Sequence, residues 1–350
     1  MSKAGQHITL VIPGLCGPGS NPAFLDSLTG QFPALERLLS RSRHEQCAAN
    51  NLDSSLCRHF NLQGRAGAAL PVAALTSLID IDVDNLDAGY MLRADPVHLQ
   101  ADRSVLRLFD SRTFSVTQDE ADALVAAFNE FYADRSWRLT APCPQRWYLN
   151  LPEAPVITTV SPDMVAGQTV DPNLPRGRDA TEWHALMNEV QMLFHQHPVN
   201  ARREERGEPT INSLWFWGEG RLPDTAHRSG IQVATDYPLA MGLASFTHAP
   251  RRDVPDNLDE LLATGDEALT LVVFDDLEAA VQYADIETWL ETMKRLEQHW
   301  FVPLLEALGN GRVASLEIDP CSGKSYRTSR RQQQHFWKRV RPLASACQHG

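Results

Sequence analysis

The chain has 350 residues, 43% of them hydrophobic and 22% charged, which is enough apolar material for a large core plus a smaller second unit. A formal net charge of −12 speaks against a nucleic-acid partner, because phosphate backbones are bound by clustered Lys and Arg that displace counterions. No apolar run nears the roughly 20 residues of a membrane helix and no signal-peptide pattern opens the chain, so a cytoplasmic protein without a membrane partner is expected.

In chain order, His7 to Ile12 is a β-branched run stopped by Pro13-Gly14, and Phe32 to Leu39 follows with helical apolar spacing. Helical stretches are expected near Ser55 to Phe60 and Val72 to Ile79, and the acidic turn Asp80 to Asp87 reads as a boundary. Tyr90 to Arg93 and Val105 to Phe109 read as strands flanking a turn, Gln118 to Tyr132 as a helix and Trp147 to Leu149 as a strand. That order suggests a small α+β insertion. Ser161 to Arg178 reads as a proline-rich surface connection, and Asp179 to His197 as a helix of about five turns.

Leu269 to Phe274 and Arg312 to Ile318 then read as strands around a long amphipathic helix, Ile286 to Leu308. Strands alternating with helices predict a sheet covered on both faces. The basic tract Arg327 to Arg341 reads as a solvated helix face. The six cysteines contain no C-x-x-C pair and read as reduced thiols.

Three constellations could carry chemistry. The densest is His195, His197, Asn200, Arg202, Arg203 and Arg206, followed by Asn212 and Trp215-Phe216-Trp217-Gly218-Glu219-Gly220, a set suited to a phosphate or carboxylate. The bland alternative pairs those arginines with Glu204, Glu205 and Glu208 on a solvated helix end. Arg93, Asp95 and His98 form a second cluster in what also reads as a structural turn. The third is Asp275-Asp276 after an apolar strand, with Asp319 in the same position after the last strand; carboxylates there commonly meet metal or substrate. No serine nucleophile is signposted: Ser20, Ser54 and Ser55 lie in no Gly-x-Ser-x-Gly, and there is no P-loop.

His197-Pro198-Val199-Asn200 with Arg203, Arg206-Gly207, Asn212, Trp217-Gly218-Glu219-Gly220 and Pro223 resembles the signature of archaeal-type cofactor-independent phosphoglycerate mutases of the alkaline-phosphatase superfamily. Within it, a bacterial regulatory branch of the RpfE type is the nearest fit. The resemblance implies an α/β fold: an alkaline-phosphatase-like core (1–88 and 172–350), helices on both faces of its sheet, and an inserted α+β cap (89–171).

In active mutases of that family, aspartates and histidines hold two metal ions and a serine carries the phosphoryl group. Here Pro13 replaces the aspartate after the first strand, Ala279 or Ala280 stands at a histidine position after Asp275 and Asp276, and Asp319-Pro320 replaces Asp-His. The resemblance therefore implies a retired active site: a non-catalytic or regulatory protein, no cofactor, and a retained anion pocket of Arg93, His197, Asn200, Arg203, Arg206 and Asn212. A small phosphorylated or carboxylate ligand, or a protein partner at the basic tract or the tryptophan-rich segment, would fit that role. The rival is an active Mn- or Zn-dependent phosphomutase or phosphatase whose site is rebuilt from Asp275, Asp276, Asp319 and a histidine such as His44, His59 or His227.

Overall fold

A computed structural model describes residues 5–17, 24, 27–62, 70–82, 89–102, 105–224, 230–264, 269–335 and 337–348. Its strands in chain order are β1 (Gln6–Val11), β2 (Arg43–Gln46), β3 (Tyr90–Asp102), β4 (Val105–Phe109), β5 (Arg138–Cys143), β6 (Arg146–Leu151), β7 (Ser213–Gly220), β8 (Gln232–Ala234), β9 (Arg251–Arg252), β10 (Leu269–Val273), β11 (Val313–Asp319) and β12 (Lys324–Ser329). Two compact units form, one from residues 1–63 with 226–350 and the other from 64–225.

In the first unit the strand order is β2-β12-β11-β1-β10-β8-β9. The run from β11 to β9 is parallel, while β12 and β2 join antiparallel at one edge. Val11 pairs with both Val273 and Asp319, so β1, β10 and β11 end level with one another. Alternate residues of β1 serve two faces. Ile8 and Leu10 join the large apolar core with Leu35, Leu38, Trp289, Phe301 and Leu304, while Thr9 points to a polar cavity described below. Helices Leu52–His59 and Pro238–Thr247 pack on β1 and β8, giving the helical cover that a parallel sheet needs.

The helix expected over 286–308 is present, but a π turn at Glu297–Phe301 divides it into Ile286–Leu296 and Val302–Asn310. Pro303 explains the break, since it has no N–H and its ring would strike the carbonyl one turn back. The wider turn places Glu297 against the start of helix Pro33–Arg41, where its carboxylate accepts from the N–H of Ala34 (2.6 Å) and Leu35 (3.1 Å). Phe32, at the N-cap, supplies no side-chain acceptor. Glu297 therefore caps the helix from more than 260 residues away in sequence.

In the second unit β3 is much longer than the expected Tyr90 to Arg93: it pairs with β6 at its start, β7 along its middle and β4 at its end. Helix Val72–Asp80 lies on β3 and β7, and helix Ala180–His195 on β7. The unit therefore runs from 64 to 225, beyond the expected 89–171, because pairing with β3 draws in residues that reading along the chain had assigned to the core. The glycines of Trp217-Gly218-Glu219-Gly220 allow the close approach of that first helix: at Gly218, with φ +64°, a Cβ would stand 2.9 Å from Val72 Cβ. Trp215 and Trp217 are both buried. The proline-rich connection is also more than surface, since Gly167 and Val170 donate to Leu108 and Leu106 of β4 and Val165 is fully buried.

One cysteine expectation is corrected: Cys16 and Cys347 are disulfide-bonded, while Cys47, Cys57, Cys143 and Cys321 are free. A pair 331 residues apart leaves no trace in local spacing. Among the described residues no helix is long and apolar enough to cross a membrane.

Candidate functional site

The level ends of β1, β10 and β11 are where a parallel sheet presents reactive groups. After β1 the chain turns through Pro13-Gly14. Gly14 has φ +78°, a Cβ there would meet the Leu277 carbonyl at 2.9 Å, and its own carbonyl accepts the Trp289 indole N–H at 2.9 Å. The turn is packed shut and Pro13 offers no donor atom. After β10, Asp275 stands at the N-cap of helix Asp276–Gln282, and the half-exposed Asp276 accepts from Arg295 at 2.5 Å, a surface pair of small energetic weight.

Asp319 ends β11 and is 2% exposed. Its Oδ2 accepts from Arg58 Nη2 at 2.7 Å and meets His59 Nε2 at 3.0 Å, while its Oδ1 accepts from the Cys321 N–H at 2.9 Å. Burial alone would raise its pKa, but the hydrogen bonds from His59, Arg58 and Cys321 outweigh that and hold the carboxyl below the usual aspartate value. Burial, and then Asp319, push the Cys321 thiol well up, and burial with Asp53 pushes Cys57 up to about 12. Neither sulfur is a thiolate nucleophile near neutral pH.

Arg58 and His59 sit at the last turn of helix Leu52–His59, whose first turn is closed by a capping box between Asn51 and Ser54. Ser54 is engaged in that cap, Ser55 is fully buried, and Ser20 lies outside the described residues. Arg58 and His59 line a polar cavity of about 320 Å³ with Thr9, Asn61, Glu317 and Arg327. Arg58 Nη2 also reaches Glu317 at 3.4 Å, and Arg327 Nε donates to Glu317 at 2.8 Å, so positive and negative charges alternate there. Of the histidines considered for a rebuilt site, His59 meets Asp319, His44 lies against Tyr326 on the sheet edge, and His227 is outside the described residues.

The residues expected to hold an anion are placed in the second unit, where each is engaged by other groups of the protein. Arg93 is buried, paired with Asp95 at 2.6 Å, with its guanidinium 5.3 Å from the ring centroids of both Tyr148 and Trp217. Asp95 also accepts from Trp217 Nε1 at 2.7 Å. Arg203, 1% exposed, donates to Glu120, to the Pro209 carbonyl and to the Ser115 carbonyl. Arg206 bonds Glu120 and Glu208.

The amides and the histidine are likewise engaged. Asn200 bridges Phe194 and Ile211, Asn212 bonds both backbone groups of Leu99, and His197 Nδ1 caps its helix through the Val199 N–H. Sequence reasoning missed Glu120 as the acceptor of both arginines, although Thr117-x-x-Glu120 is a legible capping box. It also missed Arg58 as the partner of Asp319.

A 70-residue stretch of the chain is 39% identical to a probable 2,3-bisphosphoglycerate-independent phosphoglycerate mutase of Geobacter sulfurreducens, covering 20% of this chain and 18% of that protein. A 62-residue stretch is 37% identical to the 2,3-bisphosphoglycerate-independent phosphoglycerate mutase of Methanosarcina mazei, 18% of this chain and 16% of that one. The matches thus span under a fifth of these relatives' length. The solved structure of the PH0037 protein from Pyrococcus horikoshii superposes with a TM-score of 0.55 at 15% identity, over 93% of this chain and 88% of that chain, which shows a shared fold. No family model matches the chain.

These matches correct the expectation that no cofactor belongs to this protein, because the matched relatives are mutases of the kind whose active members hold two metal ions, as set out above. Among the described residues, however, no three His, Cys, Asp or Glu side chains stand together as an ion would require, and Asp319 already carries a guanidinium. That donor set does not fit a two-metal centre.

Proposed function

We propose that this chain, a phosphoglycerate-mutase-like protein with an alkaline-phosphatase-like α/β core, is a catalytically degenerate member with a binding or regulatory role. The observation that carries the reading is the Arg58–Asp319 pair. In two-metal phosphoryl transfer, strand-end carboxylates hold ions that neutralise the attacking and leaving oxygens. Here the carboxylate that ends β11 is neutralised by a side chain of the protein, the turn after β1 carries a proline, and Asp276 is turned to Arg295.

The His59–Asp319 contact supports a second reading, an active phosphomutase or phosphatase, since a histidine oriented by a carboxylate is a common acid or base. Both are tested by following 2- and 3-phosphoglycerate interconversion, and phosphate release, by phosphorus NMR with excess Mn or Zn. The expected result is no turnover above the protein-free rate. Turnover that Asp319→Asn or His59→Gln removes would establish the active reading instead.

A further inference from the structure

On the first unit, Ser40, His44, Lys338, Arg339 and Arg341 form the polar wall of a cavity of about 220 Å³, with Ala346 on its apolar side. The segment from Lys324 to Arg341 holds seven Lys and Arg residues and no Asp or Glu, in a chain of net charge −12. Only Arg327 among those seven forms an ion pair within the described residues, with Glu45 and Glu317. Exposed arginines elsewhere can be matched, as Arg206 is with Glu208, Arg312 with Asp259 and Arg135 with Glu182. Unmatched cations held around a concavity repel one another, and a bound anion is what would offset that repulsion.

The surroundings of His44 agree. Its desolvation, then Lys338, Lys324 and Arg341, lower its pKa, so near neutral pH the imidazole is uncharged and lends a neutral hydrogen-bonding group to a wall of fixed positive charge. Two arginine forks and a lysine point charge suit a tetrahedral oxyanion, and the cavity is smaller than a typical drug-sized site of roughly 300 Å³ or more. We propose that this cavity binds a small phosphate dianion, either free phosphate or the head of a phosphomonoester. The proposal does not depend on whether the chain is catalytic.

The test is titration of the full-length protein with inorganic phosphate and with glycerol 1-phosphate at constant ionic strength, by calorimetry and by the His44 ring signals in NMR. Saturable binding that moves the His44 signals is expected, weakened about tenfold or more in Lys338→Ala/Arg341→Ala, whose fold is checked by circular dichroism. Tighter binding of glycerol 1-phosphate would assign the monoester, and equal affinities the free ion; both support the site. No saturation up to about 10 mM of either probe, or unchanged affinity in the double variant, would overturn it. So would binding of a single-stranded oligonucleotide in place of phosphate, which would reassign the patch to nucleic acid.

Discussion

Asp319 shows how a buried strand-end carboxylate is held below its usual pKa by the groups around it. Because its folded pKa lies below the usual value of 3.8, its contribution to stability is full above that value and is lost as pH falls through the folded pKa. The Tm gap between wild type and Asp319→Asn should therefore be widest near neutral pH and shrink below about pH 4, read by thermal denaturation across pH. A gap independent of pH would show that the carboxylate is not held charged. Arg58→Ala should cost about 2 to 3 kcal/mol in urea unfolding, chiefly by leaving Asp319 buried without its guanidinium. The positions of Asp275, Asp276 and Asp319 were legible because each follows an apolar strand. Their partners were not: Arg58 lies 261 residues from Asp319, and only the fold brings the two together.

At the scale of elements, the apolar periodicities that predicted β1, β10, β11 and the helices at 118–132 and 179–197 correspond to real strands and helices. Local pattern fails where an element depends on a distant one. Helix Pro33–Arg41 has no side-chain cap of its own and uses Glu297. Glu297→Ala should destabilise the protein by about 2 kcal/mol, since two buried N–H donors lose their acceptor, with Glu297→Gln falling between it and wild type. Equal stability of all three in chemical denaturation would refute the capping role. The cluster His197 to Asn212 was legible as a conspicuous motif but not as a pocket. Glu120 and the backbone of β3 take up its donors, and both are remote in sequence.

At the scale of the whole molecule, the Cys16–Cys347 bond links the segment after β1 to the helix Leu343–Gln348. Cys347→Ser should lower unfolding free energy by roughly 2 to 4 kcal/mol, and a non-reduced peptide digest should show the two cysteines linked. Recovery of six free thiols from denatured, unreduced protein would remove this crosslink from the account. By itself the sequence determined the α/β class, the likeness to phosphoglycerate mutases and the segregation of positive charge near the C-terminus, since each is written in local periodicity, spaced identities or composition. Only the tertiary structure decided which charges meet, where the two units divide and which concavity stays cationic. Ion pairs, strand neighbours and disulfides join residues tens to hundreds of positions apart, and no local window carries that distance.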